Sequence, residues 1–521
     1  MASKQNSGSH KPNPASKKRR VYSSMGDKNK KQTHRKDAVS AVSLFSSFGI
    51  GDLGVRAAGG RILAMAEMEE SRCEFLRRNY PDAQIVQGDL WETKDEVVRR
   101  ARESLGGEDL LLMVVTPPCQ GNSTLGIGRM NDAVRKGKRD ELDPRNTAVL
   151  PGLDVIKQLR PWYVVIENTR GMNTTTIPFD GRMVLIPDVI REVLGSEYVS
   201  IAEVVKFSNY GVAQSRKRLI TILTRDANGI AALTRDGTLL PPPTHTKPVT
   251  LHEAIGHFEA LDGRTNAASP SDRLHRVRAI EDHYDAIART PEGCTAFDNQ
   301  CAECGYTGNP TFPGKQGLHC STRCEECGHH LPRPMKVDVP GGEPRILFCY
   351  KNGYKRMFWD KVASTVIRNF MTASSSDNLH PEQNRTLSPR EVMTLQTVNR
   401  YAYDWGDDPT DTELGDALGE AVPPLFFELL TRHLAAISKG ATDPVKPRDD
   451  SDRQPRPATT RTNPTTPPAR KKASPRRPSR ETKPRNPSTS KARGRKKTER
   501  GESAPSGPTT KKAAKQRGNG H

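Results

Sequence analysis

Long apolar runs are missing from this sequence of 521 residues. A helix that crosses a bilayer needs roughly 18 or more consecutive apolar residues, and no stretch of the chain approaches that length. The N-terminal segment also lacks the apolar core of a secretory signal. These absences predict a soluble, intracellular protein with no membrane partner.

Cysteine is scarce and unevenly spread. The chain has nine cysteines, and six of them lie between residues 294 and 327. An odd, clustered set does not fit a disulfide framework, which needs pairs distributed along the chain. The pattern instead favours reduced thiols and a metal site.

Acidic residues are scarce at both ends of the chain. Residues 1–37 contain two acids and eleven Lys or Arg, and residues 441–521 contain seven and twenty-three. The ends therefore carry +9 and +16 of a net charge of +20, which leaves about −5 for residues 38–440. Both ends are poor in large apolar groups, which predicts disordered basic tails that bind phosphate by releasing counterions.

An apolar run at residues 110–115 ends at Pro117 and Pro118 and is followed by Cys119. Six consecutive apolar residues fit a strand buried on both faces of a parallel sheet, and ligands of such sheets bind just beyond the carboxyl ends of the strands. Cys119 is therefore a candidate reactive thiol. The alternative is a structural buried cysteine, which the proline, glycine and asparagine around it disfavour.

Two acidic residues follow consecutive predicted strands in the N-terminal part. A strand at residues 41–45 leads into a turn with three glycines, and the next strands end at Glu67 and Asp89. A glycine-containing turn allows a cofactor to approach the backbone, and a carboxylate about twenty residues later binds ribose hydroxyls. Each acid alone fits a solvated loop equally well, but together they predict a nucleoside pocket.

A third acid and two arginines follow further along. Glu167 ends a strand predicted at residues 162–166, and Gln214, Arg216 and Arg218 share one face if the chain there is extended. The alternative for the arginines is a basic patch that binds phosphate. With Cys119, these groups predict one site at the sheet edge.

Taken in order, these blocks resemble the DNA (cytosine-5) methyltransferase family, of the restriction-modification type. The matching blocks are Leu44-Phe45-Ser46-Ser47-Phe48-Gly49, Pro117-Pro118-Cys119-Gln120, Glu167-Asn168, Gln214-Ser215-Arg216-Lys217-Arg218, the stretch from His380 to Glu391, Leu395-Gln396, and Gly419-Glu420-Ala421-Val422-Pro423-Pro424. The resemblance covers roughly residues 38–437. Three positions depart from it, because Ser47 and Ile50 replace glycines and Glu420 replaces asparagine.

The resemblance implies an α/β fold, with a Rossmann-like domain that uses S-adenosylmethionine and a smaller target-recognition domain. It implies methyl transfer to C5 of a flipped-out cytosine in double-stranded DNA through a covalent Cys119–C6 adduct. The implied catalytic residues are Cys119, Glu167, Arg216 and Arg218. The implied residues for S-adenosylmethionine are Phe45, Gly49, Glu67, Met68, Asp89, Leu90 and Pro117. The loop at 121–139 is interpreted as a lid over the base.

Two Cys-x-x-Cys-Gly knuckles lie in the segment between the arginine block and His380. Their cysteines are Cys301, Cys304, Cys324 and Cys327. Four thiolates complete a tetrahedral zinc site with no open position, so the spacing predicts structural Zn²⁺. The alternative ligands nearby are Cys294, His319, Cys320 and His329, and the alternative interpretation is four unpaired thiols.

The predicted organisation has five parts. They are a disordered arm (1–37), the catalytic and donor-binding domain (38–232), the target-recognition domain (233–405, zinc module about 294–330), a C-terminal helix that returns to the catalytic domain (406–440) and a disordered tail (441–521). The predicted protein is a monomer on DNA with a cognate restriction endonuclease as partner. Its predicted location is the cytoplasm, associated with the nucleoid, or the nucleus if the source is eukaryotic.

Two other functions fit the same blocks. One is a transfer-RNA cytosine C5 methyltransferase, which shares the catalytic blocks; the long insert and the basic tails favour duplex DNA instead. The other is a DNA-binding relative with weak or no catalysis. The presence of Cys119, Glu167 and Arg216 argues against that second alternative.

Overall fold

A mixed sheet of eight strands is the centre of the protein. The computed structural model describes residues 39–118, 143–280, 283–297, 300–310, 321–346 and 353–441, and the backbone of a two-residue strand at Val21–Tyr22. Cys119, the predicted lid at 121–139, both tails apart from that strand, and the alternative zinc ligands His319 and Cys320 lie outside the described residues.

Strands and helices alternate over the first half of the described chain, as α/β folds require. The strands are β1 (Val21–Tyr22), β2 (Val39–Leu44), β3 (Gly60–Glu67), β4 (Gln84–Gln87), β5 (Leu112–Val115), β6 (Tyr163–Asn168), β7 (Thr176–Phe179), β8 (Arg182–Leu185), β9 (Val199–Lys206), β10 (Lys217–Thr224), β11 (Met335–Lys336) and β12 (Arg345–Ile346). The α-helices are α1 (Asp52–Ala57), α2 (Glu70–Asn79), α3 (Leu90–Leu105), α4 (Val149–Leu159), α5 (Ile186–Leu194), α6 (Ala227–Asp236), α7 (Leu251–Ile255), α8 (Tyr284–Ala288), α9 (Pro389–Leu395), α10 (Asp411–Glu420) and α11 (Pro424–Ser438).

The strand order of the sheet is β1-β9-β10-β6-β5-β2-β3-β4. The five strands from β6 to β4 run parallel, and β10, β9 and β1 are added antiparallel at one end. From β2 the chain proceeds to β3 and β4 on one side, whereas β5 and β6 lie on the other. The strand order therefore reverses between β2 and β5. The carboxyl ends of these two strands mark the topological switch point, where open α/β sheets bind ligands.

Helices cover both faces of the sheet. Apolar residues of α3, α4 and α5 share one buried cluster with alternate residues of the central strands, such as Leu44 and Val115. Residues of α1, α2, α6 and α11 share a second cluster with the opposite strand faces. Burial on both faces explains why β5 and β6 have continuous apolar sequences instead of alternating ones.

The α/β fold with a mainly parallel sheet that the sequence predicts is confirmed. Element ends differ by a few residues: the strand predicted at residues 41–45 spans Val39–Leu44, and the strand predicted at 162–166 spans Tyr163–Asn168. The hairpin β7–β8 and the helix α5 behind it were not predicted. Within the described ranges, no helix combines the length and apolar character needed to cross a bilayer.

Candidate active site

A cavity of about 1300 Å³ opens at the carboxyl ends of β2, β3, β5 and β6. Most of the predicted site residues that the structure describes line it. They are Phe45, Glu67, Met68, Asp89, Leu90, Pro117, Glu167, Arg216 and Arg218. The structure therefore brings the predicted donor-binding and catalytic groups to one place, although up to 173 positions separate them in the sequence.

Gly49 is not part of the cavity wall, and its importance is conformational. Its φ is +70°, and a Cβ there would lie 2.6 Å from Cε2 of Tyr80 and 2.8 Å from Cδ2 of Leu76. The Tyr80 hydroxyl also donates to the Gly49 carbonyl at 2.5 Å. Only glycine fits this close approach in this backbone conformation, so Gly49 shapes the loop after β2.

The two acids of the predicted nucleoside pocket occupy different environments. Glu67 is buried, and its carboxylate accepts hydrogen bonds from the backbone N–H of Ser47 at 2.8 Å and of Glu69 at 3.1 Å. Asp89 is exposed and caps α3 by accepting from the N–H of Trp91 at 3.0 Å. Both carboxylates retain lone pairs for further donors such as ribose hydroxyls.

Two of the unusual residues, Ser47 and Glu420, are linked through one arginine. Arg72 on α2 donates to the Ser47 hydroxyl at 3.3 Å and lies 3.2 Å from the Glu420 carboxylate at the end of α10. Arg368 lies 3.4 Å from the other oxygen of Glu420. The third, Ile50, is buried in the core. Ser47 and Glu420 are thus parts of a charged rim of the cavity, which joins α2, α10 and the segment at 363–368.

The acid and arginine blocks meet because β6 and β10 are neighbours. Glu167 lies opposite Ile220 in the antiparallel register, and Arg218 reaches back so that its Nε lies 2.9 Å from Oε1 of Glu167. Glu167 is only 8% exposed. Burial raises the pKa of Glu167, whereas the neighbouring Arg218 and Arg216 oppose that rise. A carboxyl in this setting can hold a proton more readily than one in water.

Arg216 forms hydrogen bonds with two separate segments of the cavity wall. It is 1% exposed and donates to the carbonyls of Val366 at 3.1 Å, Gly419 at 3.1 Å and Glu420 at 3.0 Å. Gln214 binds the same segment, since its side-chain oxygen accepts from the N–H of Val366 at 3.3 Å. Arg218 makes a direct contact with Glu167.

Asn168 ties the acid block to the segment that leads into Cys119. Its side-chain amide donates to the carbonyl of Pro117 at 3.1 Å. Thr116 in turn donates its hydroxyl to the carbonyl of Phe45 at 2.9 Å. The chain therefore enters the undescribed segment at Cys119 from a point fixed next to both Glu167 and the loop after β2.

Sequence reasoning missed the contribution of residues 365–368 to the cavity. Thr365, Val366, Ile367 and Arg368 all line it. They are placed there by the bridge between Gln214 and Ala363 and by the bonds from Arg216. No local pattern signals this role, because it depends on contacts across about 150 positions of sequence.

The four knuckle cysteines converge on one point. Their sulfurs all lie within 4.8 Å of one another, and the distances are 3.5 Å for Cys301–Cys327 and 3.7 Å for Cys304–Cys324. Zinc–sulfur bonds of about 2.3 Å in a tetrahedron place the sulfurs about 3.8 Å apart, so the set fits Zn²⁺. The glycines after each knuckle have φ of +73° and +76°, as the predicted tight turns require. Cys294 and His329 are not members of this cluster.

Comparisons with known proteins find relatives that span most of this chain. A type II methyltransferase of Avibacterium volantium, M1.HgaI, is 24% identical over 408 residues, which cover 77% of this chain and 99% of that protein. The type II methyltransferase M.AgeI of Thalassovita gelatinovora is 25% identical over 442 residues, covering 74% of this chain and 97% of its own.

A solved structure from Escherichia coli, described as a putative DNA modification methyltransferase encoded within a prophage, aligns with 77% of this chain at a TM-score of 0.48 and 18% identity. The family model for C-5 cytosine-specific DNA methylases matches residues 39–436, which include every block around the cavity. This chain belongs to the C-5 cytosine-specific DNA methylase family.

Proposed function

We propose that this protein transfers a methyl group from S-adenosylmethionine to C5 of a flipped-out cytosine in double-stranded DNA, through a covalent bond between Cys119 and C6. The observation that carries the proposal is the contact of the buried Glu167 with the half-buried Arg218, beside the strand end that leads into Cys119. Family membership supports cytosine C5 methylation in general. The adduct, the flipped base and the residue roles belong to the proposal.

The cavity residues fit S-adenosylmethionine. Phe45, Met68 and Leu90 offer apolar contacts for an adenine, and Glu67 and Asp89 offer acceptors for ribose hydroxyls. The loop shaped by Gly49 brings the backbone close to the same space. Bound there, S-adenosylmethionine would supply a methyl group on a positively charged sulfur. A volume of about 1300 Å³ leaves room for a nucleobase as well.

Cys119 would act as the nucleophile because C5 of cytosine is itself a weak one. Addition of the thiolate to C6 breaks the C5–C6 double bond and places electron density on C5. After C5 is methylated, loss of the C5 proton re-forms the double bond and expels the thiolate. Guanidinium groups of the proposed site would favour the thiolate form that this addition requires.

Glu167 would supply the proton that the ring needs at N3 during that addition. Burial raises the pKa of Glu167 and so favours the protonated acid that can donate. Arg218 contacts Glu167, and in the proposal it would also orient the cytosine at O2. Arg216 would act as a positioning residue, since its bonds keep residues 363–368 beside the cavity.

Double-stranded DNA is the proposed partner, and the reaction requires an unstacked base. A stacked cytosine cannot present C6 to a thiol, so the base must leave the helix. The loop at 121–139 would close over it, and the basic tails would bind phosphates without reading sequence. The type II names of the relatives support a role in a restriction-modification system, with a cognate endonuclease as partner.

We also propose that the four knuckle cysteines hold one structural Zn²⁺. Around them the described chain buries little apolar surface, namely Leu331 and the cysteines themselves. A bound metal would supply stability that this small apolar cluster cannot provide. The four cysteines would fill all positions of a tetrahedral site, so none would remain for catalysis.

Replacing Cys304 with serine is expected to release the zinc. We expect about one zinc per wild-type chain by mass spectrometry of the metal, and less than half of that in Cys304→Ser, because a four-thiolate site loses a charged ligand. Cys294→Ser is the matched control and should retain the metal, since Cys294 is outside the cluster. A wild-type protein purified without zinc, or zinc loss in the control, would contradict the assignment.

The proposed function is tested by incubating the protein with S-adenosylmethionine labelled on its methyl group and either duplex DNA or transfer RNA. Transfer to DNA, with 5-methylcytosine at a defined sequence, is the expected result. Transfer to transfer RNA alone would favour the RNA enzyme. No transfer to either, with DNA still bound, would favour the catalytically weak relative.

A further inference from the structure

One buried acid in the cavity wall has no part in the mechanism above. Asp52 is the first residue of α1 and lines the cavity beside Gly51 and Ser43. It is 5% exposed. Acidic residues are rarely buried without a charged partner, so its position requires an explanation.

The hydrogen bond from Ser43 engages only one of the two carboxyl oxygens of Asp52. The Ser43 hydroxyl donates to Oδ2 at 3.1 Å, and the Ser46 hydroxyl supports Ser43 by donating to its hydroxyl oxygen at 3.0 Å. Oδ1 is buried and has no hydrogen-bond partner among the described residues. A buried acceptor without a donor is costly in a folded protein, unless a ligand completes it.

No cation of the described chain forms an ion pair with Asp52. The elements around it carry ionisable groups that are already engaged or uncharged. Glu67 at the end of β3 accepts from backbone N–H groups, and Tyr80 after α2 donates to the Gly49 carbonyl. On α11, Glu428 and Arg432 pair with each other at 2.8 Å. Arg56 on α1 donates to the carbonyl of Asn79 at 2.6 Å. Arg56 and Arg432, two cations of the described chain on these elements, are therefore engaged by other groups.

The carboxyl group of Asp52 changes its protonation state near neutral pH. Burial raises the pKa of Asp52 to about 7, and the bond from Ser43 only partly opposes that rise. The Tyr80 hydroxyl remains neutral, since burial holds its pKa well above the usual value. A cation placed in the cavity would favour the ionised carboxylate over the neutral acid.

We propose that Asp52 is the counter-charge for the cationic methyl donor and makes the protein bind the donor more tightly than the spent product. The inference rests on the proposed function. The donor carries an ammonium, a carboxylate and a sulfonium, for a net charge of +1. Transfer of the methyl group leaves a neutral thioether, so S-adenosylhomocysteine has no net charge. Asp52 thus attracts the donor and not the product, which favours exchange after each turnover.

Replacing Asp52 with asparagine is expected to weaken binding of S-adenosylmethionine about tenfold, the effect of one pKa unit of coupling. Binding of S-adenosylhomocysteine should change less than threefold. Asparagine keeps the shape and an acceptor for Ser43, and it removes a charge that burial opposes, so we expect the variant to fold. Isothermal titration calorimetry with both ligands measures the two affinities.

Glu92→Gln is the matched control, because it removes one carboxylate from an exposed position on α3. Both affinities should stay unchanged in this variant. An equal loss of affinity for both ligands in Asp52→Asn, or no loss for either, would overturn the role of Asp52 while leaving the proposed function intact. Failure of wild type to bind either ligand would instead overturn the donor itself.

The wild-type protein offers a second measurement that needs no variant. Near pH 7 about half of the Asp52 groups are protonated, so binding of the cation should expel part of a proton. Titrations in buffers with different ionisation enthalpies count this proton. We expect release with S-adenosylmethionine, none with S-adenosylhomocysteine, and weaker donor binding as the pH falls below 7. Equal proton release with both ligands would overturn the inference.

Discussion

Replacing Cys119 with serine is expected to abolish methyl transfer, with a loss of about 10⁴-fold or more. A serine hydroxyl is almost fully protonated at neutral pH and adds poorly to C6, whereas a thiol ionises more readily and is the stronger nucleophile. The expected result is loss of label transfer to DNA with donor binding retained, because Cys119 is not among the residues assigned to the donor.

Covalent trapping checks the same residue by a second route. A target cytosine with fluorine at C5 has no C5 proton to release, so the wild-type adduct should persist and survive denaturation. Cys119→Ser should form no such complex, and Cys294→Ser should form it normally. Retention of full activity in Cys119→Ser would remove this residue from the mechanism.

Replacing Glu167 with glutamine is expected to lower the rate of transfer by about 10²- to 10⁴-fold, the range typical of a lost general acid. Glutamine keeps the size of the side chain and an acceptor for Arg218, but it has no acidic proton for N3. The rate constant under saturating donor and DNA measures the effect. Glu92→Gln, which removes an exposed carboxylate, should leave the rate unchanged.

The pH dependence of the methyl-transfer rate provides a second test of Glu167. Because burial raises the pKa of Glu167, the protonated donor is present at low pH and is lost as the pH rises through that pKa. The wild-type rate should therefore fall on the alkaline side, and Glu167→Gln should lack this limb. A rate in Glu167→Gln within threefold of wild type would exclude the acid role.

The charged rim of the cavity shows how unusual residues can compensate one another. Ser47 and Glu420 are far apart in sequence, yet Arg72 contacts both. In the sequence each looks like a separate departure from the family pattern. In the structure they are parts of one network, which also includes Arg368 from the segment beside the cavity.

The sequence by itself determined the central strands, their order along the chain and the acids at their ends. Apolar runs such as residues 110–115 and strand-end acids such as Glu167 are local features, because burial of a strand and the chemistry of its last residue depend on neighbours in the chain. The cysteine knuckles are equally local, since spacing alone brings each pair of sulfurs together.

Only the tertiary structure decided what the arginines do and which acid is left without a partner. Arg216 finds its acceptors 150 and 203 positions away, and Arg218 meets Glu167 because β10 pairs with β6. The unused oxygen of Asp52 follows from the packing of α1 against β2, which buries the carboxyl and leaves Ser43 as its side-chain donor. Hydrogen-bond partners and desolvation depend on long-range contacts, and no local pattern in the sequence records them.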